Sequence, residues 1–237
     1  MSNTDFNKKR VVIKLSGSNF NVTGADIKDS LMSYARMLID VSDKYQPIVV
    51  TGGGITARQY IKIARGLGAD EARLDNIGIE ASRLNARLLV VALGNQAFPR
   101  VPRNLEEVAI ANSSGKIVIS GGLHPGQSTN ATSALIAETV KAKKFINATD
   151  VDGIYDSDPK MNKNAKLFKK VTINECVKIL GSENSMAGTY ELLDLVALKV
   201  IERSGISTIV IRSDIKNIKK AIHSDKYHIG TEIVTNP

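Results

Sequence analysis

Four short segments carry the residue types that phosphate chemistry needs. The first is Lys14-Leu15-Ser16-Gly17-Ser18. A lysine inside the apolar run Val11–Leu15 is unusual, because a buried ammonium requires a partner. At a strand end it can reach a phosphate, while the small residues after it bare backbone N–H groups that bind anions. The competing reading is a lysine snorkelling from an edge strand. The second segment is Thr51-Gly52-Gly53-Gly54-Ile55-Thr56-Ala57-Arg58. Three glycines between a strand and a helix let the backbone approach a ligand closely. The helix N-terminus that follows favours negative charge, and Arg58 in its first turns can clamp two phosphate oxygens. A purely structural turn is the alternative. No G-x-x-x-x-G-K-[ST] occurs in the chain, and this segment lacks the G-x-G-x-x-G spacing of dinucleotide binders.

The third segment, Gly121-Gly122-Leu123-His124-Pro125-Gly126-Gln127-Ser128-Thr129, again joins a strand to a helix and adds hydrogen-bonding side chains. His124 stands among only three histidines, with no H-x-x-H or H-E-x-x-H arrangement. A loop histidine therefore fits it better than a metal ligand. The fourth runs from Asn147 to Pro159 and holds Thr149, Asp150, Asp152, Tyr155, Asp156 and Asp158. Its spacing lacks the glycine and terminal glutamate of a calcium loop. Tyr155 can stack on a base and Asp158 can accept from a ribose or amino group; a surface turn capped by Asp158-Pro159 is the plainer reading.

Strands and helices must bring these segments together. Val11–Leu15, Ile48–Thr51, Lys116–Ser120, Lys144–Ala148 and Thr208–Arg212 read as buried strands, and Thr231–Val234 as an edge. Helices are expected over Asp26–Lys44, Thr56–Leu67, Thr172–Leu180, Tyr190–Gly205 and Asn217–His223, and from Ser128, as cap, to about Ala142. Asp70–Leu93 reads as one long helix, because Leu74, Ile77, Ala81, Leu84, Leu88 and Val91 recur at three- and four-residue steps. A Pro-rich connection follows near Pro99 and Pro102, and a polar loop covers Asp150–Lys166. This alternation predicts an α/β protein: a three-layer α/β/α sandwich on a mainly parallel sheet. Ligands in such folds sit beyond the carboxyl ends of strands. Three of the strands here end in glycine-rich segments.

The 237 residues suffice for one large domain or two lobes, with a boundary near Thr149. No run of eighteen apolar residues is present, and the polar start from Met1 to Arg10 has no signal-peptide core. Cys176 is the only cysteine, so no intramolecular disulfide forms. These features point to the cytoplasm. The net charge of +8 suits nucleic acid or small polyanions. Lysines cluster at Lys160–Lys170 and Lys216–Lys226 without an arginine-rich arm or interleaved aromatics, which argues against a single-strand binder.

The order of the four segments is similar to that of the amino acid kinase superfamily. Leu74–Ile79, Ser82–Ala86, Gly122–Ala131, Ala148–Pro159 and Ala187–Asp194 resemble its archaeal UMP kinases, and the likeness runs from Val11 to Val234. The resemblance implies ATP-dependent phosphorylation of UMP to UDP, with magnesium carried by ATP and no protein metal site. It places Lys14, Gly17 and Ser18 on ATP phosphates, and Gly54 and Arg58 on the transferring phosphates. Lys14 and Arg58 are the catalytic pair. Thr149, Tyr155 and Asp158 take the adenosine. Gly53 faces the UMP phosphate, Asp75 the ribose hydroxyls, and Leu123, His124, Pro125, Gly126, Gln127, Ser128 and Thr129 the uracil and phosphate. It further implies an acceptor lobe over about 9–148, an ATP lobe over about 149–237, and a homohexamer built as a trimer of dimers through the long helix. Asn130 replaces an aspartate common in the superfamily, and Asp150 a lysine common in bacterial UMP kinases. The expectation is therefore that Lys14 and Arg58, not a carboxylate-organised pair of lysines, supply the cations. Rival readings are another small-molecule kinase of the superfamily, or a nucleotide- or oxyanion-binding protein without turnover.

Overall fold

The computed structural model describes residues 8–20, 25–181, 193–224 and 229–234. Within them the strands are β1 (Lys9–Leu15), β2 (Tyr45–Thr51), β3 (Val118–Ser120), β4 (Lys144–Thr149), β5 (Lys170–Thr172), β6 (Ser207–Arg212) and β7 (Thr231–Val234). The helices are α1 (Ala25–Ser42), α2 (Gly54–Gly66), α3 (Glu71–Leu93), α4 (Leu105–Ser113), α5 (Thr129–Thr139), α6 (Ile173–Gly181), α7 (Leu195–Ser204) and α8 (Ile215–His223).

One sheet runs in the order β3-β2-β1-β4-β6-β7-β5. Neighbours from β3 to β6 are parallel, while β6 and β7 are antiparallel. Successive residues of a strand face opposite sides, and the two sides bury separate cores. Val12, Val50, Phe145 and Val210 pack with Val108 of α4, Ala134 and Ile136 of α5, and Leu198 and Ile201 of α7. Val11, Ile13, Val49, Ile146 and Ile209 pack with Leu38 of α1, Leu89 of α3, and Ile218 and Ile222 of α8. That is the expected three-layer sandwich. Because both faces are covered, the central strands read as continuous apolar runs without alternation.

The chain steps from β1 outward through β2 to β3, then returns to lay β4 and β6 on the other side of β1. The loops after β1 and β4 therefore diverge, leaving the crevice that such a switch of direction creates at the strands' carboxyl ends. Lys14 lies on β1 at this point, in register with Val50 of β2 and Asn147 of β4.

Several elements differ from expectation. Helix α4 is absent from the sequence reading. Asn104 caps it by accepting from Glu107 N–H, and Glu107 reaches back to Arg103 N–H. This Asn-x-x-Glu pattern is a start signal hidden beside the prolines. Strand β5, three residues long, carries too little pattern to read. Strand β7 does not close an edge: it lies between β6 and β5, and β5 is the edge. Helix α7 starts at Leu195 rather than Tyr190, because Asp194 is extended and accepts from Ala197 N–H as its cap; residues 190–192 lie outside the described residues. Helix α5 ends at Thr139, three residues early, with Lys141 in the left-handed region at φ 51°.

Candidate active site

Lys14 is buried, only 8% exposed. Its strand is internal, so the edge-strand snorkelling reading fails. Desolvation lowers its pKa to about 8, against the opposing pull of the Asp150 carboxylate. The loop after β1 touches the loop after β2 backbone to backbone. A Cβ at Gly17 would lie 2.1 Å from the Gly54 nitrogen, and one at Gly52 would lie 2.7 Å from the Gly17 nitrogen. No side chain fits between them. Gly54 opens α2 at φ 67°, a left-handed conformation that only glycine adopts readily. Gly53 is the cap of α2 and has no side chain to satisfy the first N–H groups. A helix N-terminus without a side-chain cap is a place where an anion can bind. Ser18 hydrogen-bonds Ser16 through both its N–H and its hydroxyl, which shapes the turn after Lys14. Arg58, one turn into α2, is exposed.

Helix α3 holds the glycine loops from behind. Asn85 Nδ2 donates to Gly52 O at 2.8 Å, and Thr51 donates through Oγ1 to Ser82 O. Gly122 N–H donates to Ser82 Oγ at 2.8 Å. Asp75 accepts from Gly126 N–H at 2.7 Å, so the residue expected at the ribose is joined to the third glycine loop. Within that loop Leu123 buries its side chain in the core, leaving only main chain for a ligand. His124, Pro125, Gly126 and Ser128 are exposed, and Gln127 and Thr129 half-buried. Gly126 has φ 76° and lets the loop reverse. Ser128 caps α5, its Oγ accepting from Asn130 and Ala131 N–H at 3.0 Å, and donates its own proton to Asp194. Asp194 belongs to the Ala187–Asp194 segment, of which residues 187–192 lie outside the described residues.

Across the crevice Thr149 ends β4, buried, its hydroxyl donating to Asp150 at 3.2 Å. Asp150 also accepts from Lys160 Nζ at 2.5 Å. Partial burial pushes the Asp150 carboxyl upward, but the Lys160 hydrogen bond and charge outweigh it and hold the pKa below the usual value. One carboxylate therefore acts on two lysines, Lys14 and Lys160. A carboxylate that acts on two lysines is more than the sequence alone led one to expect at Asp150. Tyr155 donates to Asp152, which Arg212 at the end of β6 grips at 2.6 Å. Asp158 accepts from Lys160 N–H at 2.8 Å, so the turn before Lys160 is indeed capped by its side chain. The sequence alone assigns no role to Lys160, seen only in a lysine cluster, or to Arg83 and Asp194, seen only within the family-like segments. Asp158-Pro159 was the only local cue to Lys160; Arg83 and Asp194 make contacts set by residues distant in the chain.

The arrangement sets two glycine turns in contact beside a buried lysine, with a carboxylate-tethered lysine on the loop after β4. It can orient two phosphate-bearing molecules and neutralise charge between them. The amino acid kinase family profile matches residues 9–212. A uridylate kinase of Methanobrevibacter smithii is 39% identical over 95% of this chain and 99% of its own length. One of Sulfurisphaera tokodaii is 47% identical over 85% of this chain and 89% of its own. The crystal structure of the uridylate kinase of Archaeoglobus fulgidus superposes with a TM-score of 0.84 at 40% identity, covering 94% of this chain and 99% of that one. The chain belongs to the amino acid kinase family, in its archaeal uridylate kinase branch.

Proposed function

We infer that this chain transfers the γ-phosphoryl group of ATP to UMP, giving UDP and ADP. The observation that carries the reading is the contact of Gly17 with Gly52 and Gly54 beside buried Lys14, in a chain related over nearly its whole length to uridylate kinases. Phosphoryl transfer demands alignment and charge stabilisation more than covalent chemistry. A UMP phosphate oxygen attacks the γ-phosphorus in line; the bond from that phosphorus to the β,γ-bridging oxygen breaks, and ADP leaves. The attacking oxygen is already ionised near neutral pH, so no general base is needed.

Lys14 and Arg58 stabilise the transferring group, with Gly17, Ser18 and Gly54 holding the phosphates of ATP. Lys160, held by Asp150, joins them as a third cation. Thr149, Tyr155 and Asp158 hold the adenosine, and Gly53, Asp75 and the Leu123–Thr129 loop hold UMP. Magnesium enters as the complex of the ATP substrate. Among the described residues no three His, Cys, Asp or Glu side chains cluster as a metal cage. The acceptor lobe spans about 9–148 and the ATP lobe about 149–237. The enzyme works in the cytoplasm in pyrimidine nucleotide synthesis, as a hexamer of three dimers joined through α3. Among the described residues no helix is long and apolar enough to cross a membrane. Incubation with ATP, magnesium and UMP, followed by chromatography, tests the reaction: UDP and ADP appear in equal amounts. Tight nucleotide binding without either product would identify a binding protein on this fold.

A further inference from the structure

The segment that holds UMP in this reading is itself held by a charge that the chemistry does not use. Arg83 sits on α3 and is 9% exposed. Its Nε donates to Gly122 O at 3.0 Å. Its Nη2 donates to Leu123 O and to Arg103 O, each at 3.2 Å, and its Nη1 to Glu80 at 2.8 Å. One planar fork thus joins the helix to the third glycine loop and to the connection that precedes α4. The neighbouring Ser82 takes the other polar group of Gly122, accepting its N–H at 2.8 Å. Gly122 is gripped on both sides of its Cα by adjacent residues of one helix.

The loop lies hard against that helix. A Cβ at Gly121 would come 2.7 Å from the backbone nitrogen of Arg83, and one at Gly122 would come 3.0 Å from the Ile79 side chain. Apolar residues already seat α3 on the sheet: Ala86, Leu89 and Leu93 are all buried in the core on that face. Burying a guanidinium costs desolvation that an apolar side chain at the same place would avoid. The return is geometric. Five donors in a rigid plane can fix several carbonyls at once, and a lysine ammonium cannot copy that fork.

We propose that Arg83, with Ser82, is the positioning residue of the acceptor loop: it sets the backbone path of Gly122 and Leu123, and so the place of everything from His124 to Thr129. It touches neither nucleotide. The proposal rests on the assignment of that loop to UMP.

The test is steady-state kinetics on Arg83→Lys, Arg83→Met and Ser82→Ala, with melting temperature recorded for each. Loss of charge-assisted bonds of this kind raises KM for UMP on the order of 10- to 100-fold in both Arg83 variants. KM for ATP stays within about twofold, against the hundredfold that one lost electrostatic contact can produce. Lysine gives no rescue although it keeps the charge. Ser82→Ala moves KM for UMP in the same direction by less, and stands in for the Arg83 variants if they fail to fold. Wild-type KM for UMP in Arg83→Lys overturns the proposal, as does an equal rise for ATP and UMP. An unchanged Ser82→Ala enzyme beside unfolded Arg83 variants also overturns it. Wild-type turnover of UMP is measured first: its absence sinks the kinase reading and the clamp together, whereas normal wild-type turnover with unaffected variants sinks the clamp alone.

Discussion

Lys14 is poised between two effects. Burial favours its neutral form and Asp150 its charged one, and burial prevails, leaving the pKa near 8. In the proposed role the ammonium is the active form. In the free enzyme kcat/KM for ATP is therefore expected to fall as pH rises through about 8, because a base with a lowered pKa loses its proton early. Bound triphosphate favours the ammonium, so kcat should hold to higher pH than kcat/KM. Lys14→Ala should lower turnover roughly 100- to 1000-fold, the usual cost of removing one preorganised electrostatic contact, with UMP binding changed far less. Initial rates across the pH range check both, and near-normal turnover in the mutant contradicts the assignment. Tyr155→Ala should raise KM for ATP and leave that for UMP unchanged; the reverse would mean that the two subsites are exchanged. Lys14 and the Ser128 cap were legible because each breaks or punctuates a local pattern. Lys160 was not, because a lysine returning to a carboxylate ten residues earlier leaves no periodic trace.

At the scale of elements, α3 does more than cover the sheet. Asp70 caps it by accepting from Arg73 N–H, and its apolar period made it readable from start to end. Its polar anchors were not readable as such. Ser82, Arg83 and Asn85 bond to backbone groups more than thirty residues away, and nothing in their own spacing names those partners. Asn85 shows what is at stake. It is buried, and its amide satisfies the Gly52 carbonyl beside Lys14. Asn85→Leu leaves that carbonyl without this donor, so a stability loss of about 1–3 kcal/mol is expected, together with slower turnover. Urea denaturation measures the first. A midpoint equal to that of wild type would show that the contact does not anchor the loop. The elements misjudged from sequence were the short ones or those whose boundary depends on a cap: three-residue β5, α4 behind its prolines, and α7, delayed to Leu195 by Asp194.

The whole molecule places its glycine turns by topology. Parallel strands end together, and the change of direction at β1 opens the crevice between the two groups of loops. The parallel sheet follows from strand and helix alternation alone; the strand order that sets the change of direction at β1 does not. The distribution of surface apolar groups adds a claim about assembly. Tyr60 and Ile63 on α2, with Leu84, Leu88 and Val91 on α3, are exposed on helices that pack against each other. Apolar exposure concentrated on one helix pair suits an interface between copies of the chain. Light scattering at micromolar concentration should give a mass of at least twice that of one chain; a monomer contradicts the assembly.

The central claim is that this crevice phosphorylates UMP and reads its base. Uracil offers a carbonyl at C4 and an N–H at N3, where cytosine offers an amino group and a bare acceptor. A loop that hydrogen-bonds one pattern leaves groups unpaired against the other, which supports discrimination on the order of 10⁴-fold. The most direct measurement is ADP release with UMP and CMP side by side, compared as kcat/KM. The account predicts a UMP preference approaching that scale. A ratio below about ten, the scale of a merely hydrophobic pocket, would contradict it.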